Sequence, residues 1–233
     1  MLAVLQDRAA LFSAVCGLAG GLLVAALADP KALNDHLSNT TSPLATVEPM
    51  PSASKSAIAD PYAEAPLRLQ LRADGVLELS GLIDPGSANR FIAEVSGLDV
   101  RPTAVALQSP GGSINDAIRI ARHLRQMKVE TRIENGAICA SSCPLVFAGG
   151  VTRTVEPNAF LGVHQFYADH PMLDPAHAMA DAQLTAARIS RYLMEMGVDP
   201  ALWLHALDTP PDQLYYLSTE ELKTYSMVTE ATR

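Results

Sequence analysis

The stretch that decides the fold is residues 104–133, AVALQSPGGSINDAIRIARHLRQMKVETRI. Ala104-Val105-Ala106-Leu107 is a short apolar run of strand length, closed by the turn residues Ser109-Pro110-Gly111-Gly112. The period then changes. Ile114, Ala117, Ile118, Ala121 and Leu124 recur at three- and four-residue steps while Arg119, Arg122 and Arg125 fall on the other side, which predicts an amphipathic helix. Glu130 to Ile133 reads as the next strand. Strand, long helix, strand is a βαβ unit, and its two strands lie parallel in one sheet. The fold class that follows is α/β with a largely parallel sheet.

Working outward from that unit, Leu69–Arg72 and Val76–Leu79 alternate with period two and predict a half-buried strand pair turned at Ala73-Asp74-Gly75. Asp84-Pro85-Gly86 breaks the chain, and Ser87 is placed to cap a short helix through Val95. On the other side lies GAICASSCPLVFAGG, residues 136–150, a glycine-bounded turn running into a short apolar helix, with Pro144 in its first turn, where a missing N–H costs nothing. Ser141 and Ser142 sit at the turn. Two readings stand there: an N-cap serine, or a nucleophile beside unsatisfied N–H groups at a helix start. Asp174 to Met196 reads as a long helix with Met179, Leu184, Ile189, Leu193 and Met196 as packing positions, and Trp203-Leu204 reads as core.

The chain has 233 residues, 17 Lys+Arg against 25 Asp+Glu, and a net charge of −8. An acidic chain lacks the basic surface that nucleic-acid binding requires. Three cysteines cannot staple a fold of this size. The 48% hydrophobic content is aliphatic, since aromatics make up only 5%, and part of it lies in residues 9–28, AALFSAVCGLAGGLLVAALA, an uncharged run long enough to cross a bilayer core. Arg8 and the α-amine point the N-terminus to the cytoplasm and the rest of the chain outside. Ala26-Leu27-Ala28 also reads as a signal cleavage site, so residues 1–28 are a signal peptide or a membrane anchor, and the domain is expected at the outer face of the cytoplasmic membrane or released there. Residues 29–65 hold Pro30, Pro43, Pro49, Pro51 and Pro61 among small polar residues and read as a disordered linker. That leaves residues 66–233 as one structured domain.

SPGGS at 109–113, Ala140-Ser141 with the apolar run to Ala148-Gly149-Gly150, and Leu161-Gly162-Val163-His164-Gln165 resemble, in order and spacing, the landmarks of the Clp protease proteolytic subunit within the Clp/crotonase superfamily. The closest fit is to a membrane-exported branch. The resemblance implies a ββα spiral fold over roughly residues 68–228 and a serine peptidase, with Ser141 as nucleophile and His164 as general base. It places the oxyanion hole on the N–H groups of Gly112 and Ser142, and the substrate-binding backbone on Gly111, Gly112 and Ser113. A hydroxyl needs an imidazole to take its proton, and an acid to orient the imidazole. The resemblance gives the acid role to Asp212. Two extra residues before Leu217-Ser218 leave Asp208, or an acid-free Ser–His dyad, as alternatives.

Cys139 and Cys143 bracket Ser141, and in an oxidising compartment their spacing suits a disulfide that would pin the nucleophile turn. No metal or cofactor is expected. The partners implied are a polypeptide substrate and a second copy of the chain docked through the 174–196 helix. An ATP-driven unfoldase is not expected, because no ATP is available outside the membrane. A catalytically silent scaffold of the same fold is the main alternative. A crotonase-type acyl-CoA enzyme would share the backbone oxyanion hole, but the sequence offers no basic cluster for CoA phosphates. The histidines at 36, 123, 170, 177 and 205 have no companion spacing and are given no ligand role.

Overall fold

A hairpin opens the described part of the chain. In the computed structural model, which describes residues 65–167 and 174–229, β1 (Arg68–Leu71) pairs antiparallel with β2 (Val76–Ser80). Parallel pairing then continues through β3 (Ala104–Gln108), β4 (Glu130–Ile133) and β6 (Arg153–Val155), giving the order β1-β2-β3-β4-β6. A second, three-stranded sheet has β5 (Ile138–Ala140) parallel to β7 (Phe160–Val163), with β8 (Tyr215–Tyr216) antiparallel on its far side. A parallel bridge between Ser109 and Cys139 ties the two sheets together. The protein is therefore α/β with mostly parallel mixed pairing. The expectations for residues 1–28, and for nearly all of the 29–65 linker, lie outside the described residues.

Six helices complete the described residues: α1 (Ser87–Ser96), α2 (Ile114–Met127), α3 (Cys143–Ala148), α4 (Pro175–Glu195), α5 (Leu202–Asp208) and α6 (Thr219–Thr224). Period-two alternation sends Leu77, Leu79, Val105, Leu107 and Ile133 to one side of the large sheet. There they join one apolar cluster with Phe91, Ile120, Leu124, Leu145 and Phe147 from the first three helices. Each such side chain contributes roughly 1.5–3 kcal/mol by leaving water. The helix α3 is buried along its whole length. Thr131 Oγ1 donates to Phe147 O at 2.7 Å, and Tyr192 of α4 donates its hydroxyl to Leu145 O at 2.7 Å.

Several expectations need correction. Ser87 does not cap α1: Gly86 holds the cap position in the left-handed region, and the buried Ser87 Oγ has no partner among the described residues. The capping acceptor comes instead from α2, where Asp116 Oδ1 receives the Ala88 N–H at 3.0 Å. Arg125 is not on a solvated face, because its guanidinium donates to the carbonyls of Ala148, Gly149 and Met196. Met179 and Leu184 are exposed rather than packed, since only the last turns of α4, from Ile189, reach the core. Trp203 is buried, but Leu204, one residue on and so turned to another side of α5, is exposed. Among the described residues no helix is long and apolar enough to cross a membrane.

Candidate active site

The segment read as turn-then-helix contains a strand first. Residues Ile138–Ala140 form β5, and Ser141 follows with φ 60°, one of the few non-glycine residues in the left-handed region. A side chain held there costs of order 1–3 kcal/mol, so the surroundings must enforce it. Two constraints do so. The Ser141 N–H donates to Gly162 O at 2.9 Å, and Cys139 and Cys143 are joined by a disulfide across the turn, with Cα atoms 5.2 Å apart. Both cysteines are fully buried. Neither serine acts as a cap: Ser142 occupies the cap position of α3 without a side-chain cap bond, and its buried Oγ has no partner among the described residues. The N-cap reading of this turn is thereby overturned.

Strand register brings the histidine to the same end of the small sheet. Ala140 of β5 pairs with Gly162 of β7, so Ser141 and His164 emerge from the C-terminal ends of adjacent parallel strands. Parallel neighbours lie ~4.8 Å apart, so the two residues leave the small sheet at the same end. No hydrogen bond joins the two side chains. His164 is half-buried, and burial pulls its pKa below the ordinary value of 6.5, only partly offset by the Gln165 backbone. The imidazole therefore stays neutral, the form in which it can accept a proton. Gln165 anchors the strand end, its N–H donating to Thr209 O at 2.9 Å and its side-chain amide to Leu207 O at 2.6 Å.

The glycine pair faces Ser141 from the large sheet. Gly111 and Gly112 have φ of 96° and 134°. A Cβ on Gly111 would lie 2.5 Å from Ser141 Cβ, and one on Gly112 would overlap the Ile83 carbonyl oxygen. Protein neighbours alone thus require glycine at both positions, before any substrate is considered. Ile83 straddles the turn: its N–H donates to Gly111 O and its carbonyl accepts from Ser113, both at 2.7 Å. Ser113 Oγ donates to Asp116 Oδ2 at 2.6 Å. Against the cost of burial, that bond and the Ala88 N–H hold the Asp116 carboxyl below its usual range. Among the described residues the N–H groups of Gly112 and Ser142 donate to no protein acceptor.

The acid is the residue the structure does not bring in. Asp212 and Asp208 are both exposed, and neither makes a hydrogen bond to His164, whose buried Nδ1 has no partner among the described residues. Residues not weighed from sequence crowd the site instead. The Tyr216 ring and the Leu214 side chain lie over Gly162, where a Cβ would meet Tyr216 at 2.9 Å. Ser109 and Ile83 also belong to the site, and only Ser109 carried a signal, as the first residue of SPGG. Among the described residues no group of three or more His, Cys, Asp or Glu could hold a metal. No protein-family model matches the chain.

Proposed function

We propose that this chain is a serine hydrolase, a Clp-like peptidase with the ββα spiral of that superfamily, acting outside the cytoplasmic membrane on small or unfolded polypeptides without ATP. The observation that carries the reading is the shared strand end: Ser141 in a left-handed turn after β5, His164 just past the end of the neighbouring parallel strand, and the N–H groups of Gly112, in the glycine turn facing Ser141, and of Ser142, unused among the described residues. In the proposed step His164 takes the Ser141 proton as Oγ bonds to the scissile carbonyl carbon. The Gly112 and Ser142 N–H groups stabilise the oxyanion, and the proton passes to the leaving amine as the C–N bond breaks. Water then releases the acyl group by the same route. Self-association belongs to the same reading. The 174–196 helix leaves Met179 and Leu184 at 65% and 64% exposure, an apolar surface for a second copy.

The test is covalent. The full chain is treated with a fluorophosphonate probe beside Ser141→Ala and His164→Ala variants. Labelling is expected on Ser141 of the wild type and absent from both variants; labelling that survives Ser141→Ala overturns the nucleophile. A second reading, a catalytically silent scaffold of the same fold, is favoured by a His164 Nδ1 that has no partner among the described residues and by the exposed Asp212. No labelling of a folded wild-type chain would select it.

A further inference from the structure

We propose that Ser109 is a positioning residue of this site, the group that fixes the oxyanion turn relative to the nucleophile strand; the inference rests on the hydrolase reading. Ser109 is 2% exposed and makes four hydrogen bonds that divide between the two halves of the site. Its backbone holds the nucleophile strand: the Ser109 N–H donates to Ile138 O, and Ser109 O accepts from the Ala140 N–H, both at 2.9 Å. Its side chain holds the glycine turn. Oγ accepts the Gly111 N–H at 3.1 Å and donates its own proton to Gly81 O at 2.6 Å.

The two halves meet where Gly111 touches Ser141. A Cβ on Gly111 would lie 2.5 Å from Ser141 Cβ, 2.6 Å from Ala140 O and 2.7 Å from Ser142 N, so the glycine backbone is packed directly against the nucleophile turn. The next N–H, that of Gly112, is the one assigned to the oxyanion. Its direction is set by the Gly111–Gly112 peptide plane, whose carbonyl accepts from Ile83, while Ser109 Oγ holds the N–H of the preceding Pro110–Gly111 peptide, so the turn at Gly111 is fixed from both sides. With the hydroxyl removed, Gly111 N–H and Gly81 O both lose their partner, the Pro110–Gly111 peptide is released, and only the Ile83 bonds on the far side of Gly111 are left to aim the Gly112 N–H. Oxyanion donors act only when aimed in advance at the developing charge.

The experiment compares wild type, Ser109→Ala and Ser109→Thr as full chains, measuring the second-order rate of fluorophosphonate labelling across pH, the melting temperature, and amide hydrogen exchange at Gly111. Threonine keeps the hydroxyl. Ser109 also lines a cavity of about 10 Å³ with Leu79, Ile83, Leu107, Cys143 and Val146, roughly the volume of one water-sized group. For Ser109→Ala the plateau rate is expected to fall about tenfold, short of the ~100–1,000-fold that deletion of a donor costs. The pH midpoint set by His164 stays in place, Gly111 loses its exchange protection, and Ser109→Thr recovers the wild-type rate. A wild-type rate in Ser109→Ala overturns the inference, as does a loss that threonine does not restore. If the wild-type chain is never labelled the hydrolase reading falls, and unchanged Gly111 exchange in Ser109→Ala separately overturns the hydrogen-bond role.

Discussion

The two halves of the candidate site are held in opposite ways. On the oxyanion side every connection is internal: Ser109, Ile83 and Asp116 fix the Gly111–Ser113 segment by hydrogen bonds, and close packing forbids a Cβ at either glycine. On the base side His164 hangs from a strand end anchored by Gln165, with its Nδ1 unpaired among the described residues and the expected carboxylates in solvent. A backbone-built half tolerates almost no substitution, because several independent bonds and contacts define one geometry. A half that depends on one long-range side-chain contact can lose that contact and keep its fold.

The sharpest way to break the comparison is at the glycines. Gly112→Ala pushes a Cβ into the Ile83 carbonyl at φ 134°, and should abolish fluorophosphonate labelling and cost ~2–4 kcal/mol in denaturant unfolding. An Ala variant of wild-type stability and rate would show that the oxyanion side is not over-determined. Next in size is the acid. Asp212→Asn and Asp208→Asn should each leave the labelling rate within about twofold of wild type, whereas loss of a working triad acid costs ~10⁴. A drop of that order in either variant would restore the acid and erase the asymmetry.

Removal of the staple comes third. The Cys139–Cys143 disulfide closes a short loop, so the chain-entropy estimate for the double Cys→Ser variant is a loss of about 2 kcal/mol, readable as a lowered denaturation midpoint. The smallest expected effects are electrostatic. Because burial depresses the His164 pKa, the neutral base persists to lower pH, and the labelling rate should fall through a midpoint below 6.5 as the ring is finally protonated. A midpoint above 6.5 would reveal a nearby anion supporting His164 after all. Outside the candidate site residues, Arg72 holds the Glu134 carboxyl below its usual range through a bidentate pair, but both side chains are about one-third exposed, so Glu134→Gln should cost under ~1 kcal/mol in unfolding.

Much of this architecture was legible before any coordinates. The alternation in Leu69–Leu79 and the three-four spacing from Ile114 to Leu124 gave the hairpin and α2 because periodicity is a local property. The β5 strand is not legible because Ile138–Ala140 is three residues long and its partners, Phe160–Gly162 on one side and Ser109 on the other, lie more than twenty residues away. Met179 and Leu184 looked like packing positions because helical spacing does not say where the helix leaves the body of the protein.

What the sequence by itself determined is the α/β order of elements, the acidic charge, and the residues Ser141, His164 and Gly111-Gly112 that a serine hydrolase would need. All of these are carried by residue type and short-range spacing. Only the tertiary structure decided that Ser141 stands in a left-handed turn instead of capping a helix, that Asp212 is exposed and makes no hydrogen bond to His164, and that Ser109 joins the two sheets. Those facts depend on partners 20 to 50 residues distant along the chain, and no local pattern encodes which distant groups will come within the ~3 Å reach of a hydrogen bond.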